Sequence, residues 1–113
     1  MDRIFSNRMA LVIGGSGGIG KAVAKALANE GAQIYIHGGH SKDRLERTLR
    51  EVQQIQTAQG LPLEQQHHQT LLLPITGVDS VKIVLETVPK VDILVYAFGP
   101  FLRKDLSQMT AED

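Results

Sequence analysis

Met9-Ala10-Leu11-Val12-Ile13-Gly14-Gly15-Ser16-Gly17-Gly18-Ile19-Gly20-Lys21 is the stretch that decides the fold. Its first five residues form an unbroken apolar run, which predicts a buried strand. The next seven include five glycines. Glycines between a strand and a helix let the chain turn sharply and let a ligand approach backbone with no Cβ in the way. A helical pattern follows, with Ile19, Ala22, Val23, Ala26 and Leu27 as its expected apolar face and Lys21, Lys25 and Glu30 off it. Gly31 is the expected stop.

Working outward, the β-forming run Gln33-Ile34-Tyr35-Ile36-His37 predicts a second strand, which Gly38-Gly39-His40 turns. Ser41 is placed to cap a second helix with Leu45, Leu49, Val52 and one of Ile55 or Gln56 on one face. Asp43–Arg47, Glu46–Arg50 and Arg47–Glu51 have the i,i+4 spacing of ion pairs on a solvated face. Residues 60–69 form a polar connector; its histidine pair His67-His68 is expected to be solvated, since adjacent side chains rarely face one metal ion. Residues 70–74 predict a third strand, and Pro74 puts it at an end or edge. Residues 79–88 predict a helix carrying Val81, Val84, Leu85 and Val88, and residues 91–97 a fourth, buried strand. The order β-α-β-α-β-α-β implies an α/β fold: a Rossmann-type doubly wound parallel sheet with right-handed crossovers, incomplete at four strands.

A chain of 113 residues is expected to form a single domain, residues 1–113. Its formal net charge is zero, which argues against a broad nucleic-acid or anionic-membrane surface. The absence of cysteine excludes disulfides and thiolate metal sites. No apolar run approaches a membrane span, and Met1-Asp2-Arg3-Ile4-Phe5 lacks the apolar core of a signal peptide; a cytoplasmic location is the expectation. No metal site is expected.

The glycine loop admits two nucleotide readings. In a dinucleotide-binding unit the amides at the helix start hold a pyrophosphate. Residues 15–22 also match the phosphate-binding pattern G-x-x-x-x-G-K-[ST] at every position but the last, where Ala22 cannot hold magnesium. Asp92 begins the fourth strand, the wrong end for a metal-binding carboxylate, so the dinucleotide reading is preferred and Lys21 becomes an exposed helix residue.

Ile13-Gly14-Gly15-Ser16-Gly17-Gly18-Ile19-Gly20 resembles the Thr-Gly-x-x-x-Gly-Ile-Gly motif of short-chain dehydrogenases/reductases, with only the threonine replaced. Val91-Asp92-Ile93-Leu94-Val95 resembles that family's Asp-Ile-Leu-Val stretch, and residues 106–113 resemble the approach to its next helix, so the resemblance covers nearly the whole chain. It implies a nicotinamide dinucleotide cofactor, with Gly14, Ser16, Gly17, Gly18 and Ile19 along the diphosphate and Ala97, Phe98 and Gly99 beside the ribose. The family's Asn-Asn-Ala-Gly is here Tyr96-Ala97-Phe98-Gly99, and its adenine-contacting aspartate is replaced by Pro74-Ile75. An NAD site commonly carries a carboxylate about twenty residues past the glycines. Gly38, Gly39 and His40 stand there and no carboxylate occurs before Asp43, which favours NADP over NAD, with His40, Ser41 and Lys42 as candidate contacts to the 2′-phosphate.

The family's reaction, reversible oxidation of a secondary alcohol to a ketone, uses a serine and a Tyr-x-x-x-Lys pair. Tyr35 is followed four residues on by Gly39, and Tyr96 by Pro100, so no catalytic residue is assigned. Thr110-x-x-Asp113 has the form of a helix start, which predicts truncation of a longer enzyme before its catalytic region. The alternative is a non-catalytic dinucleotide-binding or assembly module. In either case a fourth strand left as a sheet edge predicts self-association through that edge, or a homo-oligomer.

Overall fold

The computed structural model of the chain describes residues 3–14 and 17–97. Within them lie strands β1 (Met9–Ile13), β2 (Gln33–Gly38), β3 (Gln69–Leu72) and β4 (Ile93–Tyr96). Helices α1 (Gly18–Asn29), α2 (Lys42–Ala58) and α3 (Val78–Thr87) alternate with them, and a short 3-10 turn spans Leu63–Gln65. The sheet order is β3-β2-β1-β4, every pairing parallel. The chain winds outward from β1 to β3, then crosses back to lay β4 on the other side of β1. That reversal is a topological switch point, beside which ligands bind in open α/β sheets.

Alternation along the strands divides the core. Ala10, Val12, Ile34 and Ile36 face α1 and α2, where Ala24, Ala28, Ala32, Leu45 and Val52 complete one buried cluster. Leu11 and Ile13 face α3 and meet Val84 and Val88. The second cluster is thinner. Leu94 of β4 is half exposed, and so are Ile83 and, to a lesser degree, Leu85 of α3. The fourth strand is therefore not the buried strand expected of residues 91–97: α3 alone covers that face, and β4 has a partner only in β1 among the described residues. Pro74 follows β3, which is indeed an edge strand.

The face of α1 also differs from the expectation. Its buried residues are Gly20, Ala24 and Ala28, while Ile19, Ala22 and Ala26 are exposed and Val23 and Leu27 are half-buried. The helix lies on the sheet along a stripe of its smallest residues, spaced i, i+4, i+8, which lets the two backbones approach closely. A search for large apolar residues rotates the helix away from this stripe. Its end matches expectation: Gly31 has φ +98°, its N–H donates to the Ala28 carbonyl at 3.0 Å, and the Ala32 N–H donates to Leu27 at 3.1 Å.

Polar contacts fix α2 against α1 and β2. The Ser41 hydroxyl accepts from the Arg44 N–H at 3.2 Å, the expected cap. Glu51 does not pair with Arg47; its carboxylate takes Lys21 at 2.5 Å and Lys25 at 3.2 Å, tying α2 to α1. The hydrogen bond from Lys21, above all, holds the Glu51 carboxyl below its ordinary pKa. Lys21 is thus half-buried and ion-paired rather than exposed, and is turned to α2. Gln56 is buried and uses its whole amide: Nε2 donates to the Ala28 and Ala32 carbonyls at 3.0 and 2.8 Å, and Oε1 accepts from Gln33 at 3.1 Å and His68 at 3.0 Å.

His68 corrects the reading of its connector as solvated. His67 is exposed, but the His68 ring turns inward, with Nδ1 accepting from the Ile34 N–H at 3.0 Å and Nε2–H donating to Gln56. Only the neutral Nε2–H tautomer makes both bonds. Burial, and secondarily the charge of His67, lowers its pKa to about 4.

Two outcomes follow. Ala24→Leu should cost about 1–3 kcal/mol by overpacking the α1–sheet contact, whereas Ala22→Leu should change stability by less than about 0.5 kcal/mol; urea unfolding separates them. Because the folded chain holds His68 at about 4, below the 6.5 of a free histidine, its stabilisation is present above pH 6.5 and is lost as pH falls toward 4. Between pH 7 and 5 that loss is about 2 kcal/mol. In urea titrations across that range, His68→Asn should be less stable at pH 7 and show a shallower slope.

Candidate cofactor site

The carboxyl ends of the strands converge where the chain leaves β1. Gly14 adopts φ +82°, a left-handed conformation that side chains disfavour, and so turns the chain out of the sheet. Its carbonyl accepts from the Gly17 N–H at 3.3 Å, and the Gly17 carbonyl accepts the Lys21 N–H at 2.7 Å as the first bond of α1. Gly17 is the N-cap but supplies no side-chain hydrogen bond. Helix α2 is capped from within by Ser41, whereas α1 presents its first amides without a side-chain acceptor among the described residues.

Gly18 has a further property. Among the described residues a Cβ built there would meet no protein atom within 4 Å, and one at Gly17 would meet only the Gly14 carbonyl at 3.8 Å. Packing among the described residues does not require glycine at either position. The bare backbone leaves open space in front of an uncapped helix start, which carries a partial positive charge. Ile19 follows at 65% exposure, outside the core.

Beside this turn lies a cavity of about 320 Å³ lined by Gly17, Gly18, Lys21, Arg44, Arg47 and Thr48. Lys21 is engaged by Glu51, but neither Arg44 nor Arg47 has an ion-pair partner among the described residues. The sequence places Arg47 on a solvated face of α2 and singles out no role for Arg44; the signal that would have found them is their i,i+3 spacing, which turns both toward the glycine turn at the start of α1. A larger cavity, of about 400 Å³, opens at the amino edge of the strands around Gln33, Gln56 and His67, away from the glycine turn.

The other predicted contacts are placed as follows. His40 is exposed; Ser41 is committed to its cap; Lys42 is exposed and lies 3.9 Å from Glu46. None of the three lines the cavity. Ala97 follows β4, and its N–H donates to the Ile13 carbonyl at 2.8 Å, which sets it next to the residue preceding Gly14. Ser16, Phe98 and Gly99 lie outside the described residues, as does the helix-start pattern at residues 110–113. Ile75, in the family's adenine-contact region, packs against the Leu11–Ile13 core. Asp92 serves β1 from the amino edge: its carboxylate accepts the Met9 N–H at 2.9 Å and its own N–H donates to the Met9 carbonyl at 2.8 Å. No three metal-ligating side chains gather among the described residues, and no helix there is long and apolar enough to cross a membrane.

A parallel sheet wound in this order, with a glycine turn and an uncapped helix at its switch point, defines a Rossmann-type α/β unit. The sequence profile of the short chain dehydrogenases matches residues 8–113, and the chain belongs to that family. An uncharacterized oxidoreductase of Bacillus subtilis strain 168, YvrD, is 28% identical over all of this chain and 40% of its own length. The apo form of a glucose dehydrogenase from Caenorhabditis elegans superposes with a TM-score of 0.67 at 27% identity, over 94% of this chain and 42% of that one. The Pseudomonas aeruginosa RhlG/NADP active-site complex superposes with a TM-score of 0.62 at 25% identity, over 88% of this chain and 38% of that one. The chain therefore spans about two-fifths of the length of these relatives.

Proposed function

We propose that the chain is the NADP(H)-binding portion of a short-chain dehydrogenase/reductase, an oxidoreductase that interconverts an alcohol and a ketone. The observation that carries this reading is the glycine-built start of α1, which among the described residues has no side-chain cap, open space before Gly18 and two arginines without an ion-pair partner beside it. The nicotinamide group, when bound, supplies or accepts the hydride. What this chain's residues do is bind and orient: the backbone of Gly14, Gly17, Gly18 and Ile19 holds the diphosphate, together with Ser16, and the strand end at Ala97, with Phe98 and Gly99, borders the ribose. The P-loop alternative lacks support, because Lys21 is bonded to Glu51 and Ala22 has no hydroxyl.

The preference for NADP rests on charge. No carboxylate follows β2 at Gly38, Gly39 or His40, so nothing there repels a 2′-phosphate. Guanidinium groups recognise phosphate through charge-assisted, often bidentate bonds. Arg44 and Arg47 supply such groups where Gly17 leaves the loop itself without a cation. His40, Ser41 and Lys42, the contacts expected from the sequence, do not line this cavity, and Ser41 is committed to its cap, so the two arginines carry the 2′-phosphate reading.

Calorimetric titration of the chain with NADPH, NADH and ATP–Mg tests this. NADPH should bind best. Gly18→Val should abolish binding while leaving the urea stability within about 1 kcal/mol, since a Cβ at that position meets none of the described residues. Arg44→Ala with Arg47→Ala should weaken NADPH roughly tenfold or more, by loss of charge-assisted bonds, and leave NADH nearly unchanged. ATP–Mg binding in preference to both dinucleotides would refute the assignment.

We also propose that the outer side of β4, which has no further strand beside it among the described residues, drives association of the 113-residue chain with itself. Leu94, Ile83 and Leu85 supply exposed apolar surface on that side. Sedimentation should detect dimers or larger species at micromolar concentration; a monomer that melts cooperatively at high temperature would refute this proposal.

A further inference from the structure

β2 is an apolar strand with one polar residue on its buried length, His37, which is fully buried one position before the strand's last residue. Its ring spans three strand ends. Nδ1 accepts from the Gly14 N–H at 3.1 Å, and Nε2–H donates to the Leu73 carbonyl at 2.6 Å. Leu73 is itself fixed by donating its N–H to the Gly38 carbonyl at 3.0 Å. The ring therefore joins the first residue after β1 to the first residue after β3.

Gly14 has a particular need for this partner. The ladder between β1 and β4 runs through Ile13, whose carbonyl takes the Ala97 N–H, and the left-handed turn at Gly14 then carries the chain out of the sheet. An amide at such a turn has no strand acceptor, and a donor left unpaired away from water is costly. The imidazole supplies the acceptor. Only the neutral Nε2–H tautomer does so while also donating to Leu73. Burial lowers the pKa of His37, against the opposing effect of the Leu73 carbonyl, so this neutral form prevails at neutral pH.

We infer that His37 is a positioning residue for the glycine turn: by holding the Gly14 amide it fixes where the backbone leaves the sheet, and so where the start of α1 meets the cofactor diphosphate. This inference rests on the dinucleotide reading of the preceding subsection. It predicts that the bond to Gly14, rather than the bulk of the ring or the bond to Leu73, governs binding.

Three variants separate these contributions. His37→Asn places an amide oxygen near the Nδ1 position, which keeps the acceptor for Gly14 and loses Leu73. His37→Gln reaches the Nε2 position, which keeps Leu73 and loses Gly14. His37→Phe keeps the ring and loses both. Each is titrated with NADPH by calorimetry, melted, and examined for exchange of the Gly14 amide by NMR. The expected result is His37→Asn binding within about threefold of the unaltered chain, with His37→Gln and His37→Phe weaker by tenfold or more, although His37→Asn and His37→Gln melt at similar temperatures. Gly14 should be protected from exchange in the unaltered chain and in His37→Asn, and exposed in His37→Gln. Equal binding by the Asn and Gln variants, binding that merely follows melting temperature, or a Gly14 amide still protected in His37→Gln would each overturn the inference. Failure of the unaltered chain to bind NADPH would instead refute the cofactor reading, and the Gly14 exchange arm would still decide whether His37 holds the turn.

Discussion

The turn at Gly14 is the constraint on which the arrangement depends. In a parallel sheet every strand must hand its chain to a crossover at the carboxyl edge. β1 has neighbours on both sides, so its chain cannot leave within the plane of the sheet. A left-handed residue lifts it out, and α1 begins at Gly18. The direction of α1 then sets where its small-residue stripe meets the sheet, where Lys21 and Lys25 reach Glu51, and which side of α2 is brought to the cavity. The binding edge and the packing of the first layer are thus consequences of one backbone conformation and the bonds that hold it.

The two layers are unequal. On one side two helices seal the sheet, and Gln56 uses its whole amide, making four bonds at the junction of α1, β2 and the connector before β3. On the other side, among the described residues, a single ten-residue helix covers the sheet through Val84 and the following Val88. The glycine turn sits at the edge where these layers meet, backed by the better-packed one. A well-packed layer behind the turn limits how far the amides at the start of α1 can shift.

Local signals made most of the fold legible in the sequence. The run before Gly14, the cap at Ser41 and the stop at Gly31 depend on a few adjacent residues, and each lies where those residues put it. The face of α1 was misread because glycine and alanine carry little hydrophobic weight, although the closeness of the helix to the sheet makes them the buried residues. The site was legible as far as the glycine turn and Ala97. Arg47 was hidden because helical spacing offered it Asp43 and Glu51 as neighbours, and only the docking of α2 on α1 shows that Glu51 is occupied elsewhere; Arg44, with no carboxylate three or four residues away, carried no local signal at all. His37 and His68 were hidden for a related reason: each bonds to backbone brought near by long-range pairing, 23 and 34 residues away. The one clue to His37 was a polar residue inside an otherwise apolar strand.

The placement of β4 also governs the order in which the molecule can assemble. β1 is synthesised before β2, yet its second edge is filled by a strand whose clamp, Asp92, lies 83 residues beyond Met9 along the chain. Until that segment emerges, β1 carries a row of unpaired backbone groups beside β2. Closing so long a loop delays the last pairing relative to the helices, which form from neighbouring residues. The nascent chain therefore passes through a stage in which the strand that ends in the glycine turn has an open edge, and the bonds between Asp92 and Met9 mark the end of that exposure.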